Sequence, residues 1–517
     1  MTEGPQSPPR EMKSVCMSEL ELLTWRKIPF GLKSGGHISI PKIRPSNDGI
    51  LVAMRKFDHI AYNKEKKTLD VGAGVLWRDV YKYLEQFQAD RAPGVVGGDP
   101  LVGVSGWILG GGYSLQTNRF GLGIDNIVGF RVLLPGAKSA CNVSQEENPE
   151  LFKALKGGGH NFGIITQFTL RVHDHAPRTK PIVSFEFPES ASSIVKNVLV
   201  DLIQAETPPE LVFVVAFRHD LKNGELKVKG SCYSKLFLAS YLFLDAPETR
   251  DLVRFFFNGR NQSPGSDEDR SMSLAEAYEA FSLRHLPVSL ETLQTGSHFV
   301  HLDASLEIGG ITLNSGDLIE RHLFTGREGT EIDRSLLTTF TAGNKTVVME
   351  KPPDARGRMA CIMVSTYTRT LIDEAEKQAK NLASLMKDHQ GIRVSFEIWP
   401  FHKDAFNGIS RGDTAWPHEQ GKVFGPLVGW FDWSGKDNDN FWLKEITKAL
   451  KELRKVALKE KCTTENMPMY LNITLEDTPV KDIYRDHYEK LKSLRRKYDQ
   501  NNVMGLAAGF VIDINEA

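Results

Sequence analysis

The 517-residue sequence has little cysteine, no strong charge of either sign and no long hydrophobic run. Its five cysteines are scattered singly, with no CxxC pair and no spacing typical of a metal site. The formal net charge is −1, which indicates neither a nucleic-acid partner nor an acidic membrane surface. No apolar run reaches ~18 residues, so no transmembrane helix is predicted. We therefore expect no metal, no nucleic acid and no membrane among its partners.

The N-terminal residues and the glycosylation sequons leave the localisation open. Residues 1–16 have no apolar core flanked by basic residues, so no signal peptide is predicted. Four Asn-x-Ser/Thr sequons begin at Asn142, Asn261, Asn344 and Asn472. Such sequons are common by chance and support secretion only weakly.

The length and the change of pattern along the chain predict two domains of the α+β class. A chain of 517 residues suits two large domains. Residues 30–175 are rich in glycine and in short apolar runs, such as 67–75 and 127–136, which predict strands. Residues 77–87 and 148–159 carry helical signals. After His173, helical and strand patterns alternate, which is typical of a mixed sheet with helices on one face.

Three glycine clusters stand out in the N-terminal part, at Ser34–His37, Gly97–Ser114 and Lys156–Phe168. Glycine allows backbone N–H groups to approach a ligand closely, and consecutive N–H groups bind anions. Each cluster alone could be an ordinary tight turn. Together they predict a large phosphate-bearing cofactor that lies across several loops.

Two common nucleotide sites do not fit these clusters. A dinucleotide site of the Rossmann type needs GxGxxG directly after a strand, at the start of a helix. The stretch GWILGGGY does not match that pattern, and no GxxxxGK[ST] of a P-loop occurs.

The order of several motifs makes a family resemblance apparent. Five motifs follow one another in the N-terminal part: KSGGH, VGAGVLWRDVY, VGVSGWILGGGYS, FGLGIDNIVGFRVLLPG and NPELFKALKGGGHNFGIITQFTL. A sixth, MYLNITLED, lies near the C-terminus. The sequence resembles flavin-dependent oxidases of the vanillyl-alcohol-oxidase/p-cresol-methylhydroxylase (PCMH) type. Within them it is most similar to the berberine-bridge-enzyme-like and 6-hydroxynicotine-oxidase-like branch.

The resemblance implies a two-lobed PCMH-type FAD-binding domain and a substrate (cap) domain with a mixed, mainly antiparallel sheet covered by helices. We expect the FAD-binding domain at 1–175, the cap domain at 176–465 and a C-terminal segment returning to the FAD domain at 466–517. The family usually has a strand, a helix and a second strand before the SGGH loop. Here residues 18–27 predict the helix and residues 28–33 one strand, so the N-terminus is expected to be shortened.

The resemblance also implies which residues contact FAD. Backbone groups of the glycine-rich loops would do most of the holding. The implied cofactor residues are Ser34, Gly35, Gly36, His37, Ile38, Gly97, Asp99, Val102, Gly103, Gly106, Gly111, Asp125, Asn161, Gly163, Ile165 and Asn501.

Two of these residues concern covalent attachment of the flavin. In the family, the histidine that matches His37 is often bonded to a methyl group of the flavin ring. The alternative is a loop histidine that only forms a hydrogen bond. Some members have a second bond from a cysteine, but Asp99 stands at that position, so no cysteinyl link is expected. Members with two links tend to have open sites for bulky substrates, and smaller substrates are therefore expected here.

The segment YLNITLED contains the main catalytic candidate. Read as a strand, it places Tyr470, Asn472 and Thr474 on one face, which suggests a lined cavity. The resemblance places Tyr470 over the flavin, where it would assist deprotonation of the substrate. A free tyrosine has a pKa of ~10, so this role needs a nearby cation or the field of the flavin. The alternative is a packed tyrosine with a satisfied hydroxyl. On the cavity reading, Asn472 should carry no glycan.

Glu397, Trp416 and His418 are further candidates. Glu397 shares a strand face with Ser395 and Trp399, and it is either a second acid/base or a solvated strand residue. Trp416 and His418 lie in a stretch, GDTAWPHEQ, that matches a family motif and is expected to border the substrate pocket.

The function implied is an FAD-dependent oxidase, plausible in secondary metabolism. It would take a hydride from an alcohol, amine or activated C–H of a small molecule and pass the electrons to molecular oxygen. A dehydrogenase that uses another acceptor and a catalytically impaired flavin-binding protein are the alternatives. The sequence does not identify the substrate.

Overall fold

The computed structural model describes most of the N-terminal third of the chain and nearly all of its C-terminal third. The described residues are 26–38, 40, 49–87, 92–137, 139–175, 182–187, 192–204, 209, 212–222, 225–235, 305–308, 311–314 and 354–515. The chain divides into two compact units. Unit 1 comprises Met1–His175, Phe406–Gln420 and Pro468–Ala517, and unit 2 comprises Ala176–Ala405 and Gly421–Met467. The domain boundaries predicted after residues 175 and 465 stay predictions.

Both units combine helices with strands. The strands are β1 Phe30–Lys33, β2 Ile50–Ala53, β3 Ile60–Asn63, β4 Thr68–Gly72, β5 Ala92–Gly94, β6 Ile127–Leu133, β7 Cys141–Ser144, β8 Ile164–Arg171, β9 His173–His175, β10 Ile182–Phe187, β11 Val212–Lys222, β12 Glu225–Lys235, β13 Ser305–Ile308, β14 Ile311–Asn314, β15 Ala355–Val364, β16 Gly391–Ile398 and β17 Gly425–Ser434. The helices are α1 Trp77–Leu84, α2 Val104–Leu109, α3 Thr117–Phe120, α4 Pro149–Leu155, α5 Ser192–Gln204, α6 Arg369–Ser384, α7 Asp439–Lys459, α8 Val480–Tyr484 and α9 Tyr488–Tyr498. None of these described helices is long and apolar enough to cross a membrane.

Unit 1 is built on a five-stranded sheet in the order β3-β4-β8-β6-β7, in which all neighbouring strands are antiparallel. Leu69 and Val71 alternate with less buried residues along β4, as the strand period requires. Phe168 of β8 is fully buried and meets Phe130 of β6 edge to face at 5.7 Å. The strands predicted within 67–75 and 127–136 are thus confirmed as β4 and β6.

The predicted helices of unit 1 are confirmed with one difference in capping. The spacing of Val80, Leu84 and Phe87 predicts the apolar stripe of α1. Val80 and Leu84 are buried together with Trp77, whereas Phe87 lies beyond the end of the helix and is half-buried. Helix α4 has Pro149 at its first position, where the missing N–H costs nothing. Asn148 precedes it with a φ of 62° and makes no side-chain cap, because this left-handed conformation directs its side chain elsewhere.

The C-terminal tail of unit 1 packs against its N-terminal strand β1. The N–H of Ala508 donates to the carbonyl of Phe30 at 2.7 Å, so the tail lies beside β1. Strand β1 in turn pairs in parallel with β2. It confirms the strand predicted at 28–33, whereas the helix predicted at 18–27 lies outside the described residues except for its last two positions.

Two C-terminal predictions were wrong. YLNITLED is not a strand: the N–H of Ile473 donates to the carbonyl of Tyr470 at 3.1 Å, which closes a turn. Leu471, Ile473 and Leu475 alternate along the segment as in a strand, but two of them are buried within a turn. The apolar spacing of residues 481–498 also predicts one helix, but the structure breaks it into α8 and α9 by a short 3-10 turn, Arg485–His487. Arg485 has a φ of 49°, which an uninterrupted α-helix does not allow.

Unit 2 contains an eight-stranded sheet in the order β13-β14-β10-β12-β11-β16-β17-β15. All of its described pairs are antiparallel. Helix α6 packs on β11 and β16, and helix α7 packs on β15 and on α6. Trp433 of the sheet stacks on Trp442 of α7 with ring centroids 6.2 Å apart, so large aromatic side chains join the two layers.

Candidate functional site

The first and second glycine clusters meet backbone to backbone. A Cβ atom on Gly35 would lie 2.5 Å from the N atom of Gly103, and one on Gly103 would lie 2.3 Å from the N atom of Gly35. Both distances are shorter than any real contact, so only glycine fits at either position. Gly103 also precedes helix α2 directly. The contact therefore fixes the predicted phosphate loop against the start of a helix.

Ser34 supplies an unused polar group at this contact. Its Oγ atom is buried and has no hydrogen-bond partner among the described residues. A buried hydroxyl without a partner is costly, and such groups in native proteins are usually completed by a ligand or water. Gly36 follows with a φ of 75°, and the side chain of His37 is exposed. Ile38 is half-buried. This loop can hold a polar ligand such as the predicted FAD.

The loop before Gly103 is held by aromatic residues and by Asp99. A Cβ atom on Gly97 would lie 2.5 Å from Tyr81 Oη, which itself donates to the carbonyl of Gly98 at 2.6 Å. Asp99 Oδ1 accepts a hydrogen bond from the N–H of Leu101 at 2.9 Å.

The residues on either side of Gly103 differ in how closely other residues surround them. Val102 accepts a hydrogen bond from the N–H of Trp77 through its carbonyl at 3.1 Å. Gly106 is exposed, and a Cβ atom there would contact nothing within 4 Å. Gly106 is thus the open position of the loop–helix segment, where a ligand could approach the backbone.

The third glycine cluster anchors the C-terminal tail. Asn161 Nδ2 donates to the carbonyls of Gly158 (2.9 Å) and Phe510 (3.2 Å), and its Oδ1 accepts from the N–H of Ile512 at 2.8 Å. Gly163 has a φ of 151°, and a Cβ atom there would lie 2.7 Å from the carbonyl oxygen of Leu133. Asn161 is therefore fully used in joining the tail to this cluster.

Two further residues of this cluster, Ile165 and His160, are buried and half-buried, respectively. Ile165 is buried within β8 and packs in the core of the unit. Burial and the charge of Arg495 lower the pKa of His160 to about 4, so that imidazole is neutral at neutral pH.

Tyr470 lies at the centre of a set of hydrogen-bond donors. Its side chain is 2% exposed. Its Oη atom accepts from the N–H of Gly112, the N–H of Tyr113 and the Nδ2 of Asn472, each at 3.2 Å. Three N–H groups that converge on one oxygen stabilise negative charge on it.

The glycines before Tyr113 make this arrangement possible. Gly111 has a φ of 122° and Gly112 a φ of 84°, values that other residues rarely adopt. A Cβ atom on Gly111 would also lie 3.1 Å from Tyr470 Cε2. Gly111 was predicted from the sequence, whereas the donors Gly112 and Tyr113 were not. The run of three glycines was the available signal.

Asn472 completes the set from within the turn. Its Nδ2 donates both to Tyr470 Oη and, at 2.9 Å, to the carbonyl of Trp107. A Cβ atom on Gly110 would lie 2.0 Å from Asn472 Oδ1, so the amide packs directly on the glycine run. The strand prediction was wrong, yet Tyr470 and Asn472 do lie together, because the turn brings them to one side.

Asp125, predicted as a cofactor residue, is part of a buried pair. Its carboxylate accepts from the N–H of Leu122 at 2.8 Å, and both of its oxygens lie 3.0 Å from His418 Nε2. The side chains of Asp125 and His418 are 2% and 0% exposed. Trp416 is fully buried as well, and its ring lies 6.0 Å from that of Tyr470. No pattern in the sequence indicates that Asp125 and His418 are partners.

Two predicted residues, Glu397 and Asn501, have other hydrogen-bonding surroundings. Glu397 is on β16 in unit 2, is 4% exposed, and accepts a hydrogen bond from Trp399 Nε1 at 2.9 Å. The alternative that it is a solvated strand residue was therefore wrong. Asn501 is exposed, while the next residue, Asn502, accepts from Arg495 Nη2 at 2.6 Å.

The contact between Gly35 and Gly103 gives a direct test of the loop geometry. We expect Gly103→Ala to unfold at a lower temperature and to retain less FAD per protein, because the new methyl group displaces the Ser34–His37 loop. Gly129→Ala is the matched control, since its Cβ atom would lie 3.6 Å from its nearest neighbour, an ordinary contact. The measurements are flavin absorbance per protein and thermal unfolding. A Gly103→Ala protein with full flavin content and unchanged unfolding temperature would contradict the contact.

Comparison with known proteins also indicates that the chain binds FAD. Residues 16–139 match the family described as FAD binding domain. A 210-residue segment is 40% identical to the FAD-dependent monooxygenase yanF of Aspergillus niger, and this alignment covers 40% of the chain and 32% of that protein. The chain thus spans about a third of the length of this curated relative.

Solved structures share the fold over nearly the whole chain. 6-Hydroxy-D-nicotine oxidase from Arthrobacter nicotinovorans has a TM-score of 0.60 at 17% identity, over 96% of this chain and 88% of that one. Glucooligosaccharide oxidase from Acremonium strictum has a TM-score of 0.59 at 16% identity, over 96% and 89%. These likenesses confirm the predicted fold class, and the family match confirms FAD as the cofactor. The chain therefore contains a segment that matches the FAD-binding domain family, and it shares the fold of these solved flavoprotein oxidases.

Proposed function

We propose that this protein is an FAD-dependent oxidase of a small molecule, with Tyr470 as the group that accepts the substrate's proton. The observation that carries the proposal is the convergence of three N–H donors on Tyr470 Oη. Hydrogen bonds from N–H groups favour the negatively charged form of the oxygen over the neutral phenol. The site is therefore suited to a tyrosine that acts as a base.

The residues of unit 1 fit the cofactor. The buried Oγ of Ser34, the close approach of Gly35 to Gly103 and the open face of Gly106 form a cradle for the phosphate-bearing part of FAD. When bound, FAD would supply the redox chemistry, in which a hydride is accepted at N5 and O2 is reduced to H2O2. The protein supplies orientation and electrostatics.

The proton step belongs to Tyr470. For an alcohol substrate, the O–H proton passes to Tyr470 Oη while the C–H hydrogen leaves with its electron pair, and a carbonyl product results. Gly112, Tyr113 and Asn472 hold the oxygen in place through this transfer. Because these donors are fixed by the backbone and by Gly110, they need not reorganise as the charge changes.

Glu397 is proposed as a second acid/base. Its carboxylate is buried on β16, 4% exposed, and accepts a hydrogen bond from Trp399 Nε1 at 2.9 Å. Carboxylic acids that are withdrawn from water are candidates for proton transfer, because burial favours their protonated form. A Glu397→Gln protein that turned over as fast as the wild type would remove this role.

A monooxygenase is the second candidate function, because the relative from Aspergillus niger is named an FAD-dependent monooxygenase. The two reactions differ in how the flavin is reduced. We expect a substrate of the oxidase to bleach the flavin without air and without any nicotinamide cofactor, and then to yield one H2O2 per turnover in air. Flavin reduction only by NAD(P)H, with oxygen from ¹⁸O₂ found in the product, would instead favour the monooxygenase. Bleaching without peroxide in air would favour a dehydrogenase.

Tyr470→Phe tests the proposed base. We expect it to bind FAD normally and to lose roughly 10²- to 10⁴-fold in the rate of flavin reduction, the usual contribution of a general base. Tyr83→Phe is the control, since its hydroxyl only accepts a hydrogen bond from the N–H of Tyr62. Stopped-flow absorbance under anaerobic conditions measures both. Full turnover in Tyr470→Phe would rule out the base.

The attachment of the flavin through His37 is a separate prediction. The solved glucooligosaccharide oxidase is described with a 6-S-cysteinyl, 8α-N1-histidyl FAD. Here His37 is exposed at the loop, and Asp99 stands where a cysteinyl link would form. After acid precipitation we expect yellow flavin in the wild-type pellet and in that of Asp99→Asn, but not in that of His37→Ala. Flavin only in the wild-type supernatant would exclude a covalent bond.

A further inference from the structure

Three buried residues connect Asp125 to the proposed base. His418 places one ring nitrogen against Asp125 and the other, Nδ1, 3.0 Å from the carbonyl oxygen of Trp416. Thr414 Oγ1 donates to the same carbonyl at 2.7 Å. Each ring nitrogen of His418 thus faces an acceptor oxygen, and the imidazolium form donates from both. The pair joins a carboxylate of one segment to a backbone turn of another, 293 residues away.

Trp416 in turn contacts Tyr470 and the residue before it. Its Nε1 donates to the carbonyl of Met469, the residue before Tyr470, at 2.9 Å. Its ring meets those of Tyr470 and Tyr113 edge to face, with centroids 6.0 Å apart in both cases. The hydrogen bond fixes the backbone that carries the phenol, and the ring contacts fix the phenol itself.

The other side of Trp416 has no room for movement. Gly157 has a φ of 89°, and a Cβ atom there would lie 2.9 Å from Trp416 Cβ. The N–H of Ala415 donates to the carbonyl of Lys156 at 2.9 Å. The ring of Phe406 packs edge to face on His418 at 4.9 Å. Trp416 is therefore wedged between the third glycine cluster and the turn that contains Tyr470.

We propose that Asp125 and His418 are positioning residues, which hold Trp416 and through it set the position of the Tyr470 phenol. This inference rests on the proposed function only for its kinetic consequence. The structural part concerns how Asp125 affects Trp416 and Tyr470 and holds for any reaction. A merely structural pair would stabilise the unit without a specific effect on these two rings.

The test uses the FAD-loaded, full-length protein labelled with ¹⁵N-tryptophan and with ¹³C at the tyrosine ring carbon that bears the oxygen. Signals of Trp416 and Tyr470 are assigned with Trp416→Phe and Tyr470→Phe. In Asp125→Asn we expect both signals to shift while flavin content is kept. Asp413→Asn is the matched control, because this carboxylate lies next to Thr414 but is half exposed and pairs with Lys153. We expect it to move neither signal.

Kinetics supply the second readout. We expect Asp125→Asn to lower the rate of flavin reduction by up to roughly 10²-fold with little change in KM, since a catalytic group misplaced by about 1 Å costs that much. Thr414→Val, which removes the hydroxyl beside His418 Nδ1, is a milder variant in case Asp125→Asn does not fold, and we expect smaller effects of the same kind.

The outcomes separate the two proposals. Unchanged Trp416 and Tyr470 signals in the folded variants would overturn the positioning role, as would shifted signals with an unaltered rate of flavin reduction in an active enzyme. If the wild type reduced its flavin with no substrate tested, the proposed oxidase function would fail, while shifted signals would still support the positioning of Tyr470 by Asp125 and His418.

Discussion

The hydrogen bonds from Gly112, Tyr113 and Asn472 to Tyr470 Oη are the interaction on which the rest of the site depends. They require a backbone that turns with positive φ at Gly111 and Gly112, which is why this segment is a run of glycines. They also require the turn after Tyr470, which brings Asn472 beside the phenol. A buried tyrosine is common, but one whose oxygen faces three fixed donors is suited to carry negative charge.

Glycine residues also shape the loops that are proposed to hold the cofactor. Gly35 and Gly103 touch through their backbones, and the hydroxyl of Ser34 is left buried beside them without a partner among the described residues. The third glycine cluster is different: the Asn161 amide bonds to Gly158 within the cluster and to Phe510 and Ile512 of the C-terminal tail. The first two clusters therefore carry the proposed cofactor contacts, while the third mainly joins the N-terminal and C-terminal parts of unit 1.

Local signals in the sequence were sufficient for much of this structure. Strands β4 and β6 and helices α1 and α4 follow from periodicity and from turn residues, and the motif order indicated the fold and FAD. The segment after Tyr470 was mistaken for a strand because alternating apolar residues occur in both a strand and a tightly packed turn. The pairing of Asp125 with His418 and the backbone donors Gly112 and Tyr113 to Tyr470 join residues hundreds of positions apart, and no single-sequence pattern encodes such contacts.

A crystal structure of the protein with FAD and a bound substrate or product analogue tests the central claim most directly. We expect the flavin to lie beside Ser34 Oγ and Gly103, and Tyr470 Oη to lie ~2.6–3.2 Å from the substrate atom that loses its proton, the distance that proton transfer requires. The N–H groups of Gly112 and Tyr113 should still point at that oxygen. A flavin bound away from this loop, or a Tyr470 oxygen that faces no ligand, would contradict the account.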